Sequence, residues 1–276
     1  MTVEANAKVN FTLEVFGKRA DGYHALRSVV MPISFSDTLD IEVTDDGSIT
    51  SDTGYDDDLC VKAARILRSS VSGLPSSFGV TVRVTKRIPA GGGLGGGSAD
   101  AAAVLAALME AFPGKVGEKE LYEIALKVGA DVPFCLAGGT RLCQNVGEIM
   151  TVLPAFDAYV VIAKPDAGVS TKAAYGRFDA EKDIPHPDDA SFLFYAASGE
   201  YKEAMKYAGN IFETLVPLRE GAEIKDKLYA NGAYYAAMSG SGSAYFGVFD
   251  REEDAVKAAA NLRKTVPFAE VFHTAE

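Results

Sequence analysis

The chain of 276 residues is poor in histidine and cysteine, with three of each, and that scarcity removes several kinds of chemistry. His24, His186 and His273 are scattered, so a histidine-rich metal site is not expected. Cys60, Cys135 and Cys143 are odd in number and lack metal-ligand spacing, which points to reduced thiols in a cytoplasmic protein. Basic charge is in deficit: 38 acidic residues outweigh 27 lysines and arginines, for a net charge of −11. That balance argues against nucleic acid or an anionic membrane as a partner. Long apolar runs are missing as well. The longest, Ala101 to Met109, is far too short to span a bilayer, and no N-terminal stretch reads as a signal or transit peptide. What remains is a soluble, enzyme-sized composition, 48% hydrophobic and able to fill a sizeable core. The length suits one large domain or two ordinary ones. An anionic substrate must be met by a few well-placed lysines.

Glycine, by contrast, is plentiful and concentrated. The stretch Pro89-Ala90-Gly91-Gly92-Gly93-Leu94-Gly95-Gly96-Gly97-Ser98-Ala99-Asp100 follows a strand, in which Val80, Val82 and Val84 alternate with Thr81, Arg83 and Thr85. An alanine-rich helix, Ser98 to about Phe112, comes next. Strand, glycine loop and helix start present bare N–H groups and the positive end of a helix dipole to an anion, and glycine lets the backbone approach closely. The stretch reads as a phosphate cradle. It is not a Walker A loop, since no lysine stands before Ser98. Gly91-x-Gly93-x-x-Gly96 satisfies the dinucleotide pattern, but the acid near the required distance, Glu110, sits late in a helix rather than at a strand end. A flexible linker is disfavoured by the lock between strand and helix, with Pro89 at the entrance. Ser98 either caps the helix or touches a phosphate or bound Mg²⁺.

Elsewhere, periodicity predicts a half-buried strand over Val9–Val15, with Lys8 and Asn10 on one face, and two strands, Val29–Phe35 and Leu39–Val43, parted by a turn at Ser36-Asp37. Residues 45–58 read as an acidic loop, and a helix capped by Asp57 or Asp58 carries Val61, Ala64, Leu67 and Val71. A second helix spans Glu118–Val128 and stops at Gly129, and Gly129–Phe134 reads as a turn. Extended segments follow at Thr140–Val146 and Glu148–Val152, with a domain boundary at Pro154–Asp157. The second half predicts a strand at Tyr159–Ala163 and a helix from Ser170-Thr171 to Phe178. Further helices are predicted at Ser191–Ala197, Glu200–Leu215 and Leu218–Ala230. Strands at Tyr234–Met238 and Ala244–Phe249 flank the loop Ser239–Ser243, then come a helix at Glu252–Arg263 and a strand at Phe268–Phe272. That order is compatible with a ferredoxin-like split βαβ.

Pro89 to Ala99 match P-x-G-x-G-L-G-x-G-S-A residue for residue, and this resembles the phosphate loop of the GHMP kinases, the family of galactokinase, homoserine kinase and mevalonate kinase. The similarity continues at Ala7-Lys8-Val9-Asn10-Phe11, at Ala20-Asp21-Gly22-Tyr23-His24-Ala25-Leu26, at Gly129-Ala130-Asp131-Val132-Pro133-Phe134 and, more weakly, at Ser239–Ser243. The resemblance implies an α+β two-lobed GHMP-kinase fold. Residues 1–155 would form an α/β nucleotide-binding lobe and 156–276 a ferredoxin-like substrate lobe, with the active site in the cleft. The Asp-Gly-Tyr-His segment separates the chain from galactokinase and homoserine kinase. It implies ATP-dependent phosphorylation of the 2-hydroxyl of 4-(cytidine 5′-diphospho)-2-C-methyl-D-erythritol, in the non-mevalonate isoprenoid pathway.

The resemblance also implies roles. Asp131 accepts the hydroxyl proton and Lys8 keeps that aspartate ionised. Asn10, Tyr23, His24, Thr171 and Tyr175 hold the cytidine diphosphate acceptor, Tyr23 and Tyr175 as walls for the base. ATP, with Mg²⁺, takes Lys86, Asp58 and Leu59 for its purine, and Pro89, Gly91, Gly92, Gly93, Leu94, Gly95, Gly96, Gly97 and Ser98 for its phosphates, while Ser239–Ser243 close over them. The family usually carries asparagine where this chain has Asp58, and an ionised aspartate cannot donate a hydrogen bond. By residue statistics alone, Asp131 is a turn aspartate and Lys8 a solvated lysine. Three alternatives stand beside this reading: another GHMP kinase of homoserine or mevalonate type, a catalytically silent nucleotide-binding module, and a nicotinamide oxidoreductase, the last disfavoured by the missing ribose acid.

Overall fold

The computed structural model describes residues 1–75 and 77–275. The chain divides into two compact units, one made of residues 1–7, 35–90 and 95–137, the other of 8–34, 91–94 and 138–276. Two long strands, β1 (Thr2–Lys18) and β2 (His24–Thr44), contribute residues to both.

The first unit adds β3 (Ile49–Ser51), α1 (Leu59–Ser70), β4 (Gly79–Thr85), α2 (Gly96–Ala111), α3 (Glu118–Val128) and α4 (Val132–Ala137). Strand β4 pairs antiparallel with the second half of β2, Ile41 facing Val82, and parallel with β3, Ile49 facing Val80. The apolar side of these strands (Leu39, Ile41, Val80, Val82) meets Ala63, Ala64 and Leu67 of α1 and Ala101, Val104, Leu105 and Leu108 of α2. Small alanines along α2 let α1 lie close against it. Helix α3 keeps the expected bounds, with Glu118 and Glu120 favouring its positive end and Gly129 ending it.

Three expectations fail here. No turn interrupts β2 at Ser36-Asp37, because the fully buried Asp37 carboxylate accepts hydrogen bonds from Arg87 N–H (2.5 Å) and Ile88 N–H (2.8 Å) and is satisfied without bending its own backbone. The acidic stretch 45–58 contains β3, which β4 recruits as a parallel neighbour. Gly129–Phe134 is not only a turn: α4 begins at Val132, and Pro133 falls in its first turn, where a missing N–H costs nothing.

The second unit continues with β5 (Arg141–Asn145), β6 (Ile149–Val152), β7 (Tyr159–Lys164), α5 (Thr171–Ala180), α6 (Asp189–Ala197), α7 (Tyr201–Ala204), α8 (Ile211–Leu215), α9 (Arg219–Ala230), β8 (Tyr235–Met238), β9 (Tyr245–Phe249), α10 (Glu252–Leu262) and β10 (Phe268–His273). Its four-stranded antiparallel sheet runs β10-β7-β9-β8, the order of a ferredoxin-like split βαβ. Val161, Ala163, Met238 and Phe249 pack with Ile224 and Leu228 of α9 and with Ala255, Ala259 and Leu262 of α10. The first half of β2 pairs with β5, and β5 with β6.

The single helix expected over Glu200–Leu215 is broken into α7 and α8. The first ends at Ala204 and Asn210 starts the second: its Oδ1 caps α8 by accepting from Phe212 N–H (2.9 Å), and its Nδ2 donates to Met238 O (2.8 Å) and Gly240 O (2.7 Å). Strand β1 also departs from expectation. Residues 7–15 are buried on both faces, so the polar face Lys8, Asn10, Thr12 and Glu14 lies inside, where such groups persist only with partners or a purpose. Among the described residues no helix is long and apolar enough to cross a membrane.

A buried acid in this unit yields a stability prediction. Asp189, at the start of α6, is 7% exposed, and neither carboxylate oxygen has a hydrogen-bond partner among the described residues. Arg27 Nη1 stands 3.8 Å away. Burial, reinforced by Glu14, pushes the Asp189 carboxyl up to about 6. The folded chain therefore binds this proton more tightly than the unfolded chain does. The group destabilises the fold above about pH 6, and that penalty fades as pH falls towards about 4. Asp189→Asn is expected to stabilise the protein by about 1–3 kcal/mol at neutral pH, and to lose that advantage near pH 4. Urea midpoints at the two pH values check this, and equal midpoints at neutral pH refute it.

Candidate active site

The glycine loop takes left-handed backbone conformations at alternate residues, with φ of +66° at Gly91 and +73° at both Gly93 and Gly95, which glycine adopts without strain. Gly93 has a second constraint: a Cβ there would stand 2.1 Å from Ser239 O. The carbonyls of Gly91–Leu94 are all taken. Ser243 N–H donates to Gly91 O (3.2 Å), Ala244 N–H to Gly92 O (3.1 Å), Ser239 Oγ to Gly93 O (2.9 Å) and Lys8 N–H to Leu94 O (2.9 Å). The N–H groups from Gly91 to Ser98 donate to no backbone carbonyl among the described residues. A loop with its acceptors occupied and its donors open, leading into the first turn of a sixteen-residue helix, is built for an oxyanion. The segment 239–244 thus does hold the loop, through bonds no periodicity announces.

Lys8 is 3% exposed, and its ammonium donates to Asn10 Oδ1 (2.7 Å) and Gly93 O (3.0 Å). Asn10 in turn donates from Nδ2 to Ser28 Oγ (2.8 Å), which donates to Thr12 O (2.5 Å). These bonds fix the orientation of the Asn10 amide, and with it one partner of the lysine. The reading of Lys8 as a solvated surface lysine is thereby excluded.

In the first unit, Ser98 lies in the first turn of α2. A Cβ at Gly129 would stand 3.9 Å from Ser98 Oγ, which places the start of α2 beside the segment carrying Asp131. Asp131 immediately precedes α4, and its carbonyl accepts from Cys135 N–H (3.0 Å). A Cβ at Gly97 would meet Leu59 Cδ1 at 3.6 Å, so Leu59 borders the loop too. Asp58 caps α1: its carboxylate accepts from Cys60 N–H (2.7 Å), Val61 N–H (3.2 Å) and Thr53 Oγ1. Burial works to raise its pKa, but the bond from Thr53 and the other donors outweigh that and hold it below the usual carboxylate value. An open cleft of about 400 Å³ beside α1 takes in Tyr55, Asp58, Val61, Lys62 and Arg65.

Lys86 follows β4. Its ammonium is clamped between Asp37 and Asp100 (2.6 Å to Asp100 Oδ2). Burial works against the charge on Lys86, but the two carboxylates raise its pKa, while burial raises that of Asp100. Asp100 Oδ1 has no hydrogen-bond partner among the described residues. Sequence reasoning missed Asp37 and Asp100 as partners of Lys86. Asp100 stands two residues past Ser98 and offered a weak signal; Asp37 sat in a stretch read as a turn.

The substrate-side candidates lie in the second unit. Tyr23 is 63% exposed, and its N–H donates to Asp21 Oδ1 (3.1 Å). His24 packs on Tyr175 (ring centroids 4.7 Å, planes 30° apart) and against the edge of Phe178 (5.8 Å). Its Nε2 lies 2.7 Å from Asp179 Oδ1, and Lys18 Nζ lies 3.2 Å from Asp179 Oδ2. Thr171 Oγ1 and Ser241 Oγ are 2.8 Å apart, while Ser170 rather than Thr171 caps α5. Helix α5 is therefore tied at its N-terminus to the second glycine loop and at its C-terminus to His24. Asp179, 155 residues from His24 in sequence, carried no signal of that pairing.

Comparison with known proteins agrees with this geometry. The model of the GHMP kinases N terminal domain matches residues 58–139, and that of the GHMP kinases C terminal domain matches 197–267. The chain is 38% identical over 272 residues to the 4-diphosphocytidyl-2-C-methyl-D-erythritol kinase of Clostridium acetobutylicum, covering 96% of both chains. It is 41% identical over 278 residues to that of Desulfitobacterium hafniense, covering 99% of this chain and 95% of the other. A crystal structure of 4-(cytidine 5′-diphospho)-2C-methyl-D-erythritol kinase superposes with a TM-score of 0.84 at 32% identity, covering 100% of both chains. With likeness of this extent joined to a glycine loop of this construction, the chain belongs to the GHMP kinase family.

Proposed function

We propose that this protein is an ATP-dependent kinase that phosphorylates the 2-hydroxyl of 4-(cytidine 5′-diphospho)-2-C-methyl-D-erythritol, a step in the cytoplasmic non-mevalonate route to isoprenoid precursors. The observation that carries the kinase reading is the glycine loop, whose carbonyls are engaged and whose N–H groups stay open at the start of α2. The identity of the acceptor is supported by the names of the full-length relatives.

In this reading the γ-phosphoryl group passes from ATP to the acceptor oxygen, the acceptor proton passes to Asp131, and ADP leaves. Lys8, held by Asn10 and Gly93 O, steadies the charge on the reacting oxygens. The loop N–H groups and Ser98 take the phosphates. Mg²⁺ belongs to the proposal: Ser98 Oγ would offer it a hard oxygen donor of the kind it accepts beside nucleotide phosphates, and the ion would neutralise charge on the transferred group. Lys86, its ammonium already committed to two carboxylates, meets the purine through its aliphatic stem, with Asp58 and Leu59 alongside. Tyr23, His24, Thr171 and Tyr175 take the cytidine diphosphate. The test is ADP production with this acceptor against homoserine and mevalonate. Turnover confined to the cytidine compound supports the reading. Turnover of another alcohol alone refutes the acceptor, and ATP binding without any turnover favours a silent module.

A further inference from the structure

His24 packs between two aromatic rings and an acid. Its side chain is 8% exposed, it lies on Tyr175, and Phe178 closes its edge. One ring nitrogen, Nε2, is taken by Asp179 at 2.7 Å. The other, Nδ1, makes no hydrogen bond among the described residues and is not among the buried unpartnered atoms. The bond from His24, joined by Lys18, keeps the Asp179 carboxyl below its ordinary range. At neutral pH it is therefore a carboxylate, which only accepts. The proton of a neutral imidazole must then sit on Nε2, and Nδ1 carries a lone pair.

A lone pair at that place reads a base edge. Cytosine presents an amino group at its position 4, a donor; uracil presents a carbonyl there, an acceptor. A fixed acceptor on the protein attracts the first and repels the second, and a site with a polar group left unpaired by the wrong ligand discriminates strongly. We propose that Asp179 is the positioning residue for base selectivity: by holding the His24 proton on Nε2 it leaves Nδ1 as an acceptor for the amino group of cytosine, and so selects cytidine over uridine diphosphate compounds. The inference rests on the proposed function in placing the base at His24. Lys18 sits on the far oxygen of Asp179 and does not touch the ring; without it Asp179 is still a carboxylate at neutral pH, so the tautomer stays fixed.

Binding separates this inference from the proposed reaction. With an ATP analogue filling the nucleotide site, CDP is expected to bind at least about 10-fold more tightly than UDP. Asp179→Ala, and Asp179→Asn, which keeps the size but lets the ring choose either tautomer, reduce that ratio by about 10-fold. Lys18→Ala leaves it unchanged. Long-range ¹H–¹⁵N spectra have only three imidazoles to resolve, and at about pH 8 His24 is expected as the Nε2–H form in the parent and as a mixture in the Asp179 variants. A proton found on Nδ1 in the parent, a CDP-to-UDP ratio unmoved in both variants, or no binding of either diphosphate overturns the inference. If the ratio depends on Asp179 but the methylerythritol compound is not phosphorylated, the proposed reaction falls and the selectivity device stands.

Discussion

Asp131→Ala is expected to lower turnover of the cytidine-diphosphate methylerythritol acceptor by about 10²–10⁴-fold, the range a removed general base explains, while ATP still binds. The local backbone gives this prediction its sharpness. Val132 N–H donates to Gly129 O (3.1 Å) and Cys135 N–H to Asp131 O (3.0 Å). Both bonds are between main-chain atoms and survive the substitution, so α4 and the neighbouring start of α2 stay in place. Asp131→Asn then decides between two roles. The amide keeps the shape and can orient a hydroxyl, but it cannot take a proton at neutral pH. A variant as slow as alanine marks a base, whereas recovery to within about 10-fold of the parent marks an orienting group and sinks the base. In the proposed mechanism Lys8 serves the same step, and the effect of Lys8→Ala combined with Asp131→Ala is expected to fall short of the product of the two, as for groups that work as a unit. Independent, multiplying effects would separate them.

Glycine punctuation and helical spacing made much of this legible from sequence. Residues that bind their own neighbourhood were read correctly: the glycine loop with its helix, Asp58 as a cap, α3 between its acidic first turn and Gly129, and the order of the ferredoxin-like sheet. The failures at Asp37, Asn210 and Asp179 share one cause. Asp37 looks like a turn residue because most aspartates satisfy themselves locally, yet its partners are Arg87 N–H, Ile88 N–H and Lys86, about fifty residues on. Asn210 lies inside a helical pattern, yet it answers Met238 and Gly240. Asp179 stands one residue past the helix expected to end at Phe178; it lies within α5 and belongs with His24. Side chains with distant partners leave no periodic trace, and these are the groups that tie candidate site residues together. Lys8 lies between the two cases: its place in a motif was readable, but not its burial, nor that Gly93 O would be one of its acceptors.

Gly93→Ala carries the second large effect, this time on the fold. The residue has φ of +73°, and a left-handed conformation costs a residue with a Cβ about 1–2 kcal/mol. The added methyl also has nowhere to go. It would stand 2.1 Å from Ser239 O and 2.9 Å from Ser239 C, backbone atoms that cannot rotate aside, and Ser239 O already accepts from Gly242 N–H at 3.0 Å. Relief must come from moving the 239–244 segment, which breaks the bonds to Gly91 O, Gly92 O and Gly93 O together. A destabilisation above about 3 kcal/mol is expected in urea titrations. Gly91→Ala is the control, since Gly91 shares the conformation (φ +66°) but a Cβ there meets nothing within 4 Å. Its cost is expected to stay at the about 1–2 kcal/mol of the backbone alone. The difference between the two variants measures the close approach of the two glycine loops with the backbone term removed. Equal losses would mean that the 239–244 segment yields to a methyl group at no cost, and the loop contact would then be too soft to hold the N–H groups of the cradle in a fixed array.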